Sequence, residues 1–341
     1  MSSNKKILVT GGTGLVGSQL LFDLISSGRE VRALRRSTSK QEITKRIFKW
    51  NSPEKAEDLF SKIEWVEGDI LDLYSIEDAL ENIVEVYHCA GIVSFHKGDF
   101  NRILKINIEG TENIVNQILV KNEARLCFVS STAALGRTDD GKMMDEKSNW
   151  KHSKHNSGYA ISKYCAEKEV WRGIEEGLSA VIVNPSVIIG PGDWRSGSAS
   201  MISKGKKGMR YYTPGVNGFV DVRDVSKIMI GLMEKKIQAQ RYIISSENKL
   251  YREIFDQVAD HFHKPHASIA VSRGLSNFVV KLDTLKSFIS GTKSLLTKET
   301  VNSAFQKNEY SNTKVISELG IKFIPVNESI TDSCKALESK I

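Results

Sequence analysis

"VTGGTGLVGSQL", residues 9–20, continues the apolar run "KKILV" (5–9) and leads into a segment with helical spacing (15–27). Its glycines read as Gly12-x-Gly14-x-x-Gly17, or as Gly11-x-x-Gly14-x-x-Gly17. Glycine at these places permits a tight strand-to-helix turn, lets backbone approach a pyrophosphate, and lets helix pack closely on strand. The phosphate then sits at the positive end of the following helix. Such a triplet says little in isolation. At a first strand–helix junction it has the context that a dinucleotide-binding loop requires.

Outward from this loop, the runs 29–36, 63–70, 84–91, 124–132 and 178–186 read as strands, with helical stretches at about 99–120 and 157–176. Apolar strands alternating with helices predict an α/β fold built on a doubly wound parallel Rossmann sheet. After Pro185 the rhythm changes. "GPGDWRSGSASMISKGKKG" (190–208) reads as loop and short helix, 218–236 as a strand running into a helix, "RYIISS" (241–246) as a strand, and 250–264 as a helix. The expected division is a dinucleotide-binding domain over 1–183 and a smaller, mainly helical substrate lobe over 184–341. Part of 218–246 is expected to pack back on the first domain.

Composition narrows the functional classes. The 341 residues are 40% hydrophobic with a net charge of +7, and the mean hydropathy is −0.27. This suits a soluble globular protein with a sizeable core, and the charge fits nucleic-acid or membrane binding as well as phosphorylated ligands. No apolar run approaches the roughly 18–20 residues of a membrane span, and the N-terminus reads directly into a strand with no leader signature. Cys89, Cys127, Cys165 and Cys334 are far apart, which predicts reduced thiols and a cytoplasmic setting. "HFHKPH" (261–266) reads as the solvated end of a helix, with no metal expected. "KGKKGMR" (204–210) reads as a solvated loop near the substrate cleft, without the aromatic interleaving of a nucleic-acid surface. The stripe at 268–296 reads as core-facing helix, with membrane-surface contact as the minority reading.

The second strand ends Leu34-Arg35-Arg36-Ser37. Folds that use NAD(H) usually place an acid about 20 residues past the glycines, on the ribose 2′-OH. Two guanidiniums suit a 2′-phosphate instead, so NADP(H) is favoured. Further on, "GYAISKYCAEK" (158–168) sets Tyr159 and Lys163 on one face of a helix. A phenol with a pKa near ~10 exchanges protons poorly at neutral pH, and a neighbouring ammonium lowers that value.

Taken in order, TGGTGLVG (10–17), Gly68-Asp69-Ile70, "HCAG" (88–91), "INIEGTENI" (106–114), "VSST" (129–132), Tyr159-x-x-x-Lys163, "NPSVIIGPG" (184–192) and "FVDVRDV" (219–225) resemble the extended short-chain dehydrogenases/reductases of the NAD(P)-dependent epimerase/dehydratase superfamily. "VRALRR" and "NPSVIIGPGDW" look most like the dihydroflavonol-reductase and 3β-hydroxysteroid-dehydrogenase branch.

The resemblance implies phosphate contacts along Gly11, Gly12, Thr13, Gly14, Leu15, Val16 and Gly17, and ribose-phosphate contacts at Arg35 and Arg36. It implies adenine contacts at Asp69 and Ile70, further cofactor contacts at Ala90 and Gly91, and nicotinamide-side contacts at Lys163, Pro185 and Val187. Tyr159 becomes the general acid/base and Lys163 its partner on the nicotinamide ribose. Counting along the strand end puts Thr132 at the hydroxyl position that orients substrate, with Ser131 beside it; Asn107 matches a common family position. The function implied is NADP(H)-dependent hydride transfer to or from a carbonyl/secondary-alcohol pair, by a homodimer acting on a small molecule. The alternatives are a sugar-nucleotide epimerase or dehydratase with tightly bound NAD, and a non-catalytic nucleotide-sensing scaffold. The substrate itself is not encoded in these motifs.

Overall fold

Five consecutive residues, "KILVT", form the central strand β1 (Lys6–Thr10), buried on both faces from Ile7 onward. A strand flanked by helices on both sides needs this continuous apolar run. The computed structural model describes residues 5–121, 124–136, 142–153, 156–274 and 298–339. In chain order β1 is followed by α1 (Leu15–Ser26), β2 (Val31–Arg35), α2 (Glu42–Asn51), α3 (Ala56–Ser61), β3 (Glu64–Glu67), α4 (Leu73–Ala79) and β4 (Ile83–His88). Next come α5 (Phe100–Leu104), a π-turn (Lys105–Glu109), α6 (Gly110–Lys121), β5 (Arg125–Val129), α7 (Gly158–Glu175) and β6 (Ala180–Pro185).

The chain then runs through β7 (Val187–Ile189), α8 (Ala199–Gly205), β8 (Tyr211–Tyr212), β9 (Val216–Asp221), α9 (Val222–Glu234) and β10 (Gln240–Ile244). β11 (Glu247–Leu250), α10 (Tyr251–His261) and β12 (Ile269–Ala270) follow, and the last helices cover Lys298–Ala304, Thr313–Leu319 and Val326–Glu338.

Seven strands form one parallel sheet in the order β10-β6-β5-β4-β1-β2-β3. Strand order reverses between β1 and β4, so the loops leaving their carboxyl ends diverge and open a crevice. The Rossmann fold expected from the sequence is therefore present. One face is sealed by α1, α2 and α9, through Leu20, Leu21, Leu24, Phe48 and Met229 against Val9, Tyr87 and Val181. The other is sealed by α4, α6 and α7, through Ile76, Ile114, Val115 and Val170 against Leu8, Val86 and Phe128. Each such buried Leu, Ile or Phe contributes roughly 1.5–3 kcal/mol over an exposed one.

The lobe has its own core of Ile189, Ile202, Phe219, Ile254, Val258, Val326 and Ile330, beneath a small sheet in the order β11-β9-β7. Its last helix, Val326–Glu338, is bolted to the β9–α9 junction through Asp221. That carboxylate accepts from the Ser329 hydroxyl at 2.6 Å, while Arg223 bridges Asp221 and Asp332 at 2.7 and 2.9 Å. Among the described residues no helix is long and apolar enough to cross a membrane. Most of the amphipathic stripe at 268–296 lies outside the described residues.

Candidate active site

At the crevice the two loops meet through glycine. Gly11 has φ +69°, and a Cβ there would lie 2.6 Å from the Ala90 nitrogen. A Cβ on Gly17 would come within 2.3 Å of the Gly11 carbonyl oxygen, and the Gly14 N–H donates to that same oxygen at 2.9 Å. This turn leaves the N-terminus of α1 without a side-chain cap. Its free N–H groups and positive dipole end face the crevice between β1 and β4, where a phosphate would sit. Ser18 and Thr44, both fully buried, brace the turn from below by donating to the Gly12 carbonyl.

Arg35 ends β2, and its Nε is buried without a hydrogen-bond partner among the described residues. Asp69 spends Oδ1 on the Leu71 N–H at 3.0 Å. The Ile70 side chain is buried, closing against Gly110, so only its main chain could meet an adenine. A Cβ on Gly91 would lie 3.2 Å from Asn107 Oδ1 and 3.9 Å from Lys163 Nζ. Pro185 is buried and Val187 half-buried, at the far side of the crevice.

On α7, Tyr159 and Lys163 stand one turn apart beside the end of β5. Ser131 is the hydroxyl that acts on the Tyr159 phenol. Counting along the strand puts Thr132 at the substrate-orienting position, with Ser131 beside it. The Ser131 hydroxyl caps the short turn Thr132–Leu135, and Thr132 is folded into that turn, buried. Burial pushes the phenol pKa up and the Ser131 hydroxyl draws it back. The lowering expected from Lys163 is not among these causes; its Nζ donates to the Val129 carbonyl at 2.7 Å and sits over the Phe128 ring. Desolvation lowers Lys163 itself to about 8, against the opposing pull of Glu167. Phe95 meets the Tyr159 ring edge-on at 5.9 Å, and Phe100, 40% exposed, packs against Gly158.

Asn107, named in the motif reading, and two groups that escaped it complete the surroundings. The π-turn carries Asn107, whose side-chain amide bonds both the N–H and the carbonyl of Ile92, at 2.8 and 3.0 Å, and the Ser162 hydroxyl at 2.9 Å. It thus ties the β4 loop to the tyrosine helix, a use typical of π-turns. His88 is fully buried and held neutral, its pKa lowered to about 3 by burial and by Lys163. Donor accounting fixes its tautomer. The Ala90 N–H donates to Thr10 Oγ1, leaving the Thr10 hydroxyl proton for His88 Nδ1. His88 Nε2–H then donates to Thr111 Oγ1, whose proton goes to the Asn107 carbonyl. Glu167, one further turn along α7, was a visible signal: a carboxylate at i+8 from Tyr159 on the buried face.

A sequence profile of the NAD dependent epimerase/dehydratase family matches residues 7–245, the whole span from β1 to the end of β10. The chain belongs to this family. Within it the chain is an extended short-chain dehydrogenase/reductase of the dihydroflavonol-reductase-like branch, an NAD(P)-dependent enzyme acting on small molecules. It is 27% identical to a putative dihydroflavonol 4-reductase of Synechocystis, over 95% of this chain and 92% of that one. It is 29% identical to sterol demethylase protein B of Methylococcus capsulatus, over 77% and 76%. Among solved structures, gox2253 superposes with a TM-score of 0.81 at 27% identity, covering 99% of both chains. The UDP-glucose 4-epimerase of Thermotoga maritima shares the fold at TM-score 0.76 and 18% identity, over 98% of this chain and 99% of that one.

Proposed function

We propose that this enzyme is an NADP(H)-dependent reductase of carbonyl compounds, with Tyr159 as the general acid. The observation that carries the reading is Tyr159, half-buried on α7 one turn from Lys163 and beside the Ser131 hydroxyl, its pKa raised by desolvation rather than lowered. A phenol that keeps its proton at neutral pH is suited to giving it to a developing alkoxide, which is the requirement of reduction. Ser131 is placed to hold the substrate oxygen against the phenol, since a hydroxyl can donate and accept at once.

The residues present fit a dinucleotide. The glycine turn is a cradle that any Cβ would fill, and the uncapped α1 terminus suits a pyrophosphate. The orphaned Nε of Arg35, in the place where NAD enzymes hold an acid, favours a ribose 2′-phosphate, with Arg36 beside it. Bound NADPH supplies the hydride. Lys163 holds the nicotinamide ribose and keeps a positive charge near the phenol. Phe95 and Phe100 exclude water from the side where the carbonyl enters.

Two relatives carrying dihydroflavonol-reductase and anthocyanidin-reductase names support reduction over epimerisation. The direct test is a fluorescence titration with NADPH and NADH, followed by a carbonyl panel with whichever binds. Tight NAD released only on denaturation would turn the assignment to an epimerase or dehydratase.

A further inference from the structure

Along α7, Tyr159, Lys163 and Glu167 fall at i, i+4 and i+8 and meet three consecutive residues at the end of β5. Tyr159 meets the Ser131 hydroxyl, Lys163 the Val129 carbonyl at 2.7 Å, and Glu167 Oε2 the Ser130 hydroxyl at 2.6 Å. The Glu167 side chain is 4% exposed. Its other partners are Asn184 Nδ2 at 2.7 Å on Oε2, and Arg241 Nη1 at 3.1 Å and Trp171 Nε1 at 3.3 Å on Oε1. Asn184 Nδ2 also donates to the main-chain carbonyl of Ser131 at 3.0 Å. One carboxylate therefore fixes both neighbours of the acid/base pair.

We propose that Glu167 is a positioning residue: it holds the Ser130–Ser131 strand end in register with α7 and supplies the negative charge that faces the Lys163 ammonium, with Arg241 as its counter-cation. This rests on the reading of Tyr159 and Lys163 as the acid/base pair.

A buried ion pair adds little or nothing to stability over an apolar pair of the same volume, so stability alone does not account for a carboxylate here. Its position behind Lys163 does. The titratable groups facing that ammonium are Tyr159 and Glu167 from α7, and His88 and Cys89 from the end of β4; β5 offers only the Phe128 ring and the Val129 carbonyl. Arg241, from β10, stands on the far side of Glu167 and is held by the carbonyls of Glu146 and Ser148. His88 stays neutral, and burial pushes the Cys89 thiol up to about 12. Glu167 is thus the carboxylate that acts on Lys163 among the described residues. Burial opposes protonation of Lys163 and Glu167 supports it.

The test is a lysine side-chain NMR titration of the full chain, the Lys163 signal being assigned by its loss in Lys163→Arg. In Glu167→Gln the Lys163 midpoint falls by about one unit, because a favourable charge has gone. In Arg241→Gln it rises, because the carboxylate is no longer shared. The alkaline limb of kcat for carbonyl reduction moves with each midpoint, while KM changes less than about threefold. An unchanged Lys163 midpoint in Glu167→Gln, or a shift of the same sign in both variants, overturns the proposal. The titration needs no turnover, so it decides the role of Glu167 even if no carbonyl substrate is reduced.

Discussion

The Lys163 ammonium donates to the Val129 carbonyl at 2.7 Å and so lies under the strand end that carries Ser131, one turn of α7 from the phenol. Its folded pKa of about 8 lies below its ordinary 10.5. On the proposed mechanism reduction needs the ammonium, so kcat is expected to fall as pH rises through about 8. The stability sign is opposite. Between about 8 and 10.5 the unfolded chain holds a proton that the folded chain has released, so stability rises with pH in that window. Lys163→Met therefore abolishes reduction yet is at least as stable as the parent at neutral pH, as thermal unfolding would report.

Ser131 and Thr132 are separated by their geometry. Ser131→Ala lowers kcat about a hundredfold, the usual cost of losing one hydrogen-bond donor to a developing oxyanion. Thr132→Val, which keeps the shape of a side chain packed into the turn, stays within about tenfold. Steady-state kinetics on the two variants checks the order. Equal losses would mean that both hydroxyls reach the substrate.

The phosphate turn admits no side chain at its third glycine. Gly17→Ala drives a methyl to 2.3 Å from the Gly11 carbonyl oxygen. The turn must open, at about 1–3 kcal/mol of stability, and nucleotide binding is lost. Calorimetric titration with NADPH and thermal unfolding of the same sample report both effects.

On the proposed NADP(H) reading, nucleotide choice is carried by Arg35. Arg35→Ala weakens NADPH by about ten- to a hundredfold, the worth of a charge-assisted hydrogen bond, and leaves NADH nearly unchanged. A parallel loss for both nucleotides would place Arg35 outside the 2′-phosphate site.

The neutral imidazole of His88 sets an acid limit on stability. Its folded pKa is about 3 against the ordinary 6.5. Below about 6.5 the unfolded chain takes up a proton that the folded chain refuses, so stability present above that pH is lost progressively as pH falls towards 3. In His88→Asn the slope of unfolding free energy against pH is shallower by about one proton across this window. Urea unfolding at a series of pH values measures it.

The sheet was legible in the chain because its strands are short, apolar and buried on both faces, and "KILVT" followed by the glycine turn admits few other readings. Tyr159 and Lys163 were legible because a helix makes i and i+4 neighbours without tertiary help. The division of roles between Ser131 and Thr132 was not legible, because it depends on where the turn after β5 begins, and a local count does not carry that register. The Val129 carbonyl that receives a hydrogen bond from Lys163 Nζ lies 34 residues away, so helical spacing alone could not show it. The place of Glu167 at i+8 was visible, but its partners and those of His88 were hidden for the same reason. Their partners lie 23 to 78 residues away for His88 and up to 74 for Glu167, so only the folded sheet brings them together.

The central claim is that the Tyr159 phenol delivers the proton in a hydride transfer to a carbonyl. The direct measurement is single-turnover oxidation of bound NADPH by a ketone and aldehyde panel, comparing the parent with Tyr159→Phe at matched nucleotide occupancy. The account predicts turnover in the parent and a loss of at least about a hundredfold in Tyr159→Phe, with NADPH affinity unchanged. Equal rates in both proteins would contradict it.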